Sequence, residues 1–213
     1  MNTILIADDH LLIRKGMEVI VRQEFNDDCQ IDFAKNGKEV IEKIKQSSYD
    51  LLITDLNMPF TDGLSMITDA FKIQSSLKVL VVTVNPDNVF ALRYMQAGVS
   101  GFVSKHAPEK VLIDAIRTIR GGKRYLTPDQ MQMFTNSFLS AAESNPFESL
   151  SNREFEVAML LLKGSGAIEV ASVLSISPST ASSYRGRVLS KLGLKNVFEL
   201  RALARHYGVS SEL

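Results

Sequence analysis

Tyr49-Asp50-Leu51-Leu52-Ile53-Thr54-Asp55-Leu56-Asn57-Met58-Pro59 is the stretch on which the fold turns. Leu51, Leu52 and Ile53 make a short apolar run of the kind that fills a strand buried on both faces, as in parallel sheets. The run ends in a carboxylate, Asp55, and Pro59 with Asp62-Gly63 then breaks the chain into a loop. Ligand sites in open α/β sheets lie just beyond the carboxyl ends of the strands, so Asp55 stands where chemistry is expected. An isolated Asp there would read as a strand end and a cap. The other acidic residues decide between the two.

Working outward, the neighbouring segments repeat the pattern. Thr3-Ile4-Leu5-Ile6-Ala7 is a second apolar run ending in carboxylates, Asp8 and Asp9. Leu12, Ile13, Met17, Ile20 and Val21 follow at helical spacing. Residues 30–34 read as a short strand, and Asn36-Gly37 opens a helix carrying Val40, Ile41 and Ile44. Leu64, Ile67 and Phe71 mark a helix after Asp55, and residues 78–83 form the most β-branched strand. Val89, Leu92 and Met95 predict a helix closed by Gly98, then a fifth strand over 101–105 and a fifth helix over 108–120. Parallel neighbours need crossover connections, so this alternation predicts a doubly wound α/β domain around a five-stranded parallel sheet.

In such a sheet the strand ends share one edge. Asp8 and Asp9, Asp55, Thr83 and Lys105 then converge as three carboxylates with a hydroxyl and an ammonium nearby. Carboxylates that close repel unless a cation neutralises them, and an all-oxygen set suits Mg²⁺. The bland alternative is a rim of solvated loop charges. Apolar runs ending in Asp, Thr and Lys at matched positions argue against it. His10, opening a helix, reads as structural.

At 213 residues the chain suits two domains, with 45% apolar and 23% charged residues as in an ordinary soluble protein. No run approaches the ~18–20 apolar residues of a membrane span, and the N-terminus lacks the basic-then-apolar pattern of a secretory signal. The single cysteine, Cys29, excludes an intramolecular disulfide and a multi-thiolate metal site, which suits a cytoplasmic location.

The alternation stops beyond Gly121-Gly122. Thr127-Pro128-Asp129-Gln130 is a helix start, running to about Ala142 before the polar break Glu143-Ser144-Asn145-Pro146. Residues 1–122, 123–146 and 147–213 thus read as an α/β domain, a linker with a helix, and a second domain. The second domain is all helix. Ser151-Asn152-Arg153-Glu154 is a capping box opening a helix closed by Gly164, and Ile168, Val170, Ala171, Val173 and Leu174 form a short second helix. Ser177-Pro178 caps a third, buried through Val188, Leu189 and Leu192, with Ser179, Ser182, Ser183, Gly186 and Arg187 on its open side. Leu200, Leu203 and Ala204 make a fourth. Two helices joined by a tight turn, the second with a polar face, form a helix-turn-helix whose second helix enters the DNA major groove. From residue 147 onward eight Lys and Arg stand against six Asp and Glu, a weak excess for a nucleic-acid binder. Arg185, Arg187, Lys191 and Lys195 nevertheless cluster where phosphate contacts belong.

Ile4-Leu5-Ile6-Ala7-Asp8-Asp9-His10 with Arg14 and Gly16, Thr54-Asp55-Leu56-Asn57-Met58-Pro59 with Gly63, and Gly98-Val99-Ser100-Gly101-Phe102-Val103-Ser104-Lys105 resemble the receiver domain of bacterial two-component response regulators. That resemblance implies a flavodoxin-like fold, with Asp55 as phosphoacceptor for a sensor histidine kinase. It implies that Asp8 and Asp9, with Asp55 and the backbone carbonyl of Asn57, hold Mg²⁺. Thr83 and Lys105 would contact the acyl phosphate, and Phe102 would swing inward on activation. The second domain resembles the LuxR-type DNA-binding domain of NarL/FixJ regulators in Leu150-Ser151-Asn152-Arg153-Glu154, Glu169-Val170-Ala171, Leu174, Ile176-Ser177, Thr180, and Val188 with Lys191-Leu192-Gly193. It departs from that pattern at Ser182, where the family carries a basic residue, at Gly186, and at Ser165-Gly166-Ala167.

Together these readings give a phosphorylation-controlled transcription factor rather than an enzyme. It would act as a homodimer when phosphorylated and bind an inverted repeat of double-stranded DNA through Ser179, Thr180, Ser182, Ser183, Arg185, Arg187 and Lys191. A small hydrolase with an aspartyl-phosphate intermediate would need an acid/base carboxylate where Asn57 stands. The other alternative is a protein-interaction module with a degraded DNA-reading helix.

Overall fold

Five strands form where the apolar runs predict them: β1 (Asn2–Ala7), β2 (Cys29–Ala34), β3 (Leu51–Thr54), β4 (Lys78–Thr83) and β5 (Gly101–Ser104). The computed structural model describes residues 2–26, 28–59, 61, 63–84, 88–139, 145–174, 176–207 and 209. The strands pair in parallel in the order β2-β1-β3-β4-β5, with α1 (Leu11–Glu24), α2 (Gly37–Gln46), α3 (Gly63–Ile73) and α4 (Asn88–Gln96) as crossovers and α5 (Glu109–Arg120) following the last strand. Side chains alternate across a strand, so Leu5, Leu52, Val79, Val81 and Phe102 pack under α2, α3 and α4. Ile4, Ile6, Ile53, Leu80 and Val103 pack against α1 and α5 on the other face. The strand order reverses between β1 and β3, and that reversal opens a crevice at the carboxyl edge.

Helical spacing overstated how much of α1 is core. Met17 and Val21 are buried, but Leu12 is 84% exposed and Leu11 and Ile13 are exposed beside it. Periodicity marks an apolar stripe without saying how much of it a neighbour covers.

Past α5 the chain stays on the sheet. The Tyr125 amide donates to the Ser100 carbonyl at 2.8 Å, and Tyr125 pairs with Gly101 in a parallel bridge. Leu126 packs into the cluster that holds Phe102. A Cβ on Gly101 would come within 2.9 Å of Ile119, 3.1 Å of Leu80 and 3.2 Å of Tyr125, so glycine lets three elements approach closely there. Helix α6 (Pro128–Leu139) follows at once. Gln130 accepts the Thr127 amide at 3.0 Å and returns its own amide to the Thr127 hydroxyl at 3.3 Å, the reciprocal cap read from the sequence. The expected extension of this helix to Ala142 and the break at Glu143-Ser144 lie outside the described residues.

The chain forms two compact units, residues 1–136 and 137–213, and the division falls inside α6. The second unit holds a short 3-10 turn (Pro146–Ser149), α7 (Asn152–Leu162), α8 (Ala167–Val173), α9 (Pro178–Lys191) and α10 (Val197–His206). Ser151 and Glu154 make the expected capping box, and the Ser177 hydroxyl accepts the Thr180 amide at 3.1 Å with Pro178 in the first turn. Phe147 and Phe155 meet edge to face at 6.5 Å between centroids, and Ala158, Val170, Ala181, Val188 and Leu200 complete the buried centre. Where Gly166 lacks a capping side chain, Glu169 accepts its amide at 2.8 Å and starts α8 from within. Ile168 and Val173, counted from spacing among the apolar positions of that helix, are exposed.

Candidate functional site

The sheet ladder runs one residue past each functional strand. The Asp8 amide donates to Ala34 at 3.2 Å, the Asp55 amide to Ala7 at 2.8 Å, and the Lys105 amide to Thr83 at 2.7 Å. Backbone pairing therefore fixes the residues that carry the chemistry before their side chains meet. Asp8, Asp55 and Thr83 are buried, and the Lys105 side chain is 9% exposed.

Lys105 is the centre of the charge arrangement. Its Nζ lies 2.6 Å from Asp8 Oδ2 and 2.7 Å from Asp55 Oδ2. Burial would lower its pKa, yet the contacts and charges of Asp55 and Asp8 outweigh that and hold the ammonium above its ordinary value. Asp55 Oδ1 accepts the Leu56 amide at 2.7 Å. The expectation of three mutually repelling carboxylates is thus modified: two buried carboxylates share one internal cation, and Asp9 stands at the rim, 27% exposed. His10 Nδ1 lies 2.9 Å from Asp9 Oδ1 and 3.2 Å from Asp8 Oδ1.

Room for further positive charge remains. Asp8 Oδ2 meets Lys105 as an ion pair outside hydrogen-bond geometry, and Asp9 Oδ1 is buried without a hydrogen bond from the described residues. Asp8, Asp9 and His10 bring ligand atoms within 4.8 Å of one another. Buried, under-satisfied carboxylate oxygens at a sheet edge are a donor set that fits a hard divalent cation.

In the second unit, Ser179, Thr180, Ser182, Ser183, Arg185 and Arg187 are all exposed on α9. The Ser177 hydroxyl lies 2.8 Å from that of Ser179 and 2.7 Å from that of Thr180. The Ser183 hydroxyl donates to the Ser179 carbonyl at 3.0 Å, leaving its lone pairs for an outside donor. The Arg187 guanidinium rests over the Tyr184 ring at 5.3 Å. Lys191 is placed differently: its Nζ pairs with the buried Glu154 at 2.7 Å. Burial pushes the Glu154 carboxyl up, but hydrogen bonds from Lys191 and Ser151 win and hold it below its ordinary value.

Comparison with known proteins decides what these two sites belong to. Residues 4–117 match the response regulator receiver domain family, and residues 148–204 match the bacterial regulatory proteins of the luxR family. The response regulator UvrY of Escherichia coli strain K12 is 30% identical over 210 residues, 98% of this chain and 96% of that protein. The oxygen regulatory protein NreC of Staphylococcus carnosus is 34% identical over 92% of this chain and 94% of its own length. The chain belongs to the NarL/FixJ response regulators. Among solved structures, RcsB of Salmonella enterica serovar Typhimurium bound to promoter P1flhDC with the phosphomimetic BeF3- superposes with a TM-score of 0.58 at 25% identity, over 95% of this chain and 97% of that one.

As a two-component response regulator with a LuxR-type DNA-binding domain, the chain is a transcription factor. No helix among its described residues is long and apolar enough to cross a membrane. Around the receiver site, Lys105 brings Asp8 and Asp55 together, and the Thr83 carbonyl accepts the Lys105 amide beside them. The Asn57 side chain is exposed, with its Nδ2 3.4 Å from the Thr83 hydroxyl. Phe102 is fully buried, 5.9 Å from the Tyr94 ring, the inward placement in which the expected swing would end. Two neighbours, Arg14, quoted only within the resemblance, and His10, read as structural, touch the site more closely than the sequence suggested. Arg14 is buried and donates a guanidinium hydrogen to the Asp8 carbonyl. His10 contacts both carboxylates that precede it, and its position directly after the Asp pair was the only available signal.

Proposed function

We propose that Asp55 is the phosphoacceptor of this response regulator and that a sensor histidine kinase is the donor. The reading rests on one observation, the Lys105 ammonium held between Asp8 and Asp55 at 2.6 and 2.7 Å in the crevice where strand order reverses. An Asp55 carboxylate oxygen attacks phosphorus in line, the phosphorus–nitrogen bond to the donor imidazole breaks, and the imidazole departs with the electron pair. Lys105 and the Thr83 hydroxyl then follow the phosphate oxygens. Asp8, Asp9, Asp55 and the Asn57 carbonyl would hold Mg²⁺, which when bound neutralises charge on the phosphoryl oxygens.

Phosphorylation then favours a homodimer that reads an inverted repeat of double-stranded DNA, because closed two-fold symmetry in the protein requires it in the half-sites. Helix α9 enters the major groove with Ser179, Thr180, Ser182 and Ser183 toward base edges and Arg185 and Arg187 toward phosphates. Lys191 keeps Glu154 as its partner and contributes least. Residues 1–122 act as the receiver and 147–213 as the reader, in the cytoplasm.

Acetyl phosphate with Mg²⁺ should add one phosphate to the chain by intact mass, and Asp55→Asn should abolish the addition. Labelling that persists in the Asn variant would remove Asp55 from this role.

A further inference from the structure

We propose that Gln130, in the first turn of α6, is a positioning residue that carries the state of Asp55 out of the receiver through strand β5, an inference that rests on the phosphoacceptor reading above. Two points along β5 make it a relay. Lys105, just past one end, binds Asp55 Oδ2 at 2.7 Å, so a phosphoryl group added there obliges the ammonium to move off its present bridge to Asp8. Three residues earlier, the Phe102 carbonyl accepts the side-chain amide of Gln130 at 3.5 Å.

That distance lies at the outer limit of a hydrogen bond, so a strand shift of a few tenths of an ångström makes or breaks it. Gln130 is 6% exposed, and its carbonyl oxygen is held independently by the Thr127 amide at 3.0 Å. The amide end alone is free to respond. Surrounding contacts keep the segment on the moving part: the Tyr125 amide bonds Ser100 at 2.8 Å, Leu126 shares the Phe102 cluster, and the Arg124 guanidinium reaches the Met95 carbonyl at the end of α4 at 3.4 Å. Displacement of the strand is felt at the Phe102 carbonyl whatever the position of its ring. The linker's first turn belongs to the receiver and senses it directly.

Gln130→Glu tests this, because the carboxylate still accepts the Thr127 amide and keeps the cap but offers no hydrogen to the Phe102 carbonyl. Full-length wild type, Gln130→Glu and Thr127→Ala are treated with acetyl phosphate and Mg²⁺. Phosphate uptake is read by intact mass, dimer formation by light scattering, and amide exchange across residues 131–139 by mass spectrometry. The three should take up phosphate equally. Gln130→Glu should lose about fivefold or more of the phosphorylation-dependent gain in dimerisation, together with the exchange change in α6, and Thr127→Ala should keep both. A full gain in Gln130→Glu overturns the relay. Equal losses in Gln130→Glu and Thr127→Ala overturn it as well, since the cap rather than the amide contact would then be responsible. Uptake at Asp55 is measured separately, so a failed phosphoacceptor and a failed relay give different results.

Discussion

The receiver crevice and the open face of α9 are both polar clusters built at the ends or on the surface of regular elements, yet they are finished to different degrees. In the crevice the charges answer one another within the protein: Lys105 serves Asp8 and Asp55, and Arg14 serves the Asp8 carbonyl. On α9, Arg185 and Arg187 are exposed, and Ser179 and Ser183 hydrogen-bond within their own helix and its cap. A site that performs chemistry is preorganised, because geometry must be in place before the reactant arrives. A surface that reads a polymer is left incomplete, and the polymer's phosphates and base edges supply the missing half.

The largest effect that separates the two should come from Lys105→Met. Removing the ammonium leaves two buried carboxylates without their shared cation, and the urea-induced unfolding of the receiver should lose about 3 kcal/mol. Unchanged stability would mean that water already screens the crevice, and the contrast with α9 would fail.

Glu154→Gln asks whether the reading unit has a preorganised ion pair of its own. Lys191 is 45% exposed, so the loss should be only about 1 kcal/mol. The sign follows from the depressed carboxyl: its contribution is complete above the ordinary value of 4.5 and is lost as pH falls through the lower folded value. Thermal unfolding of wild type and Glu154→Gln should therefore converge on acidification below 4.5, and a gap that persists would place the effect in packing instead.

The smallest effects belong to the open face. Arg187→Ala should weaken binding to most DNA sequences alike and lower the salt slope by about one counterion, whereas Ser182→Ala should shift preference at one base pair by about 1 kcal/mol or less. If neither variant alters binding to a selected site, α9 is not the reading head and a protein partner takes its place.

Much of this was legible in the sequence for a physical reason. A strand buried on both faces must be a run of apolar residues, so 51–54 and 78–83 announce themselves, and the polar residue that ends each run is placed by the sheet. Caps are equally local, which is why Ser151-Glu154, Thr127-Gln130 and Ser177-Pro178 could be read directly. What stayed hidden depends on partners distant in sequence. Lys191 looks like a phosphate contact until Glu154, on another helix, is brought beside it. Leu12 looks like core until α1 turns it outward, and Gln130 looks like a cap until Phe102 appears beneath it. In α9, Gly186 has open space around it, so nothing in the fold demands glycine there.

Gly101 carries a different kind of constraint, best put in genetic terms. Its missing methyl group is shared by a neighbouring strand, a covering helix and the start of the linker, through Leu80, Ile119 and Tyr125. A residue crowded by one neighbour can be rescued when that neighbour shrinks. A residue crowded by three on three elements needs all three to give, because a change at any one leaves the other two contacts in place. Loss of function at Gly101 would thus be undone by restoring glycine, and second-site revertants would be scarce.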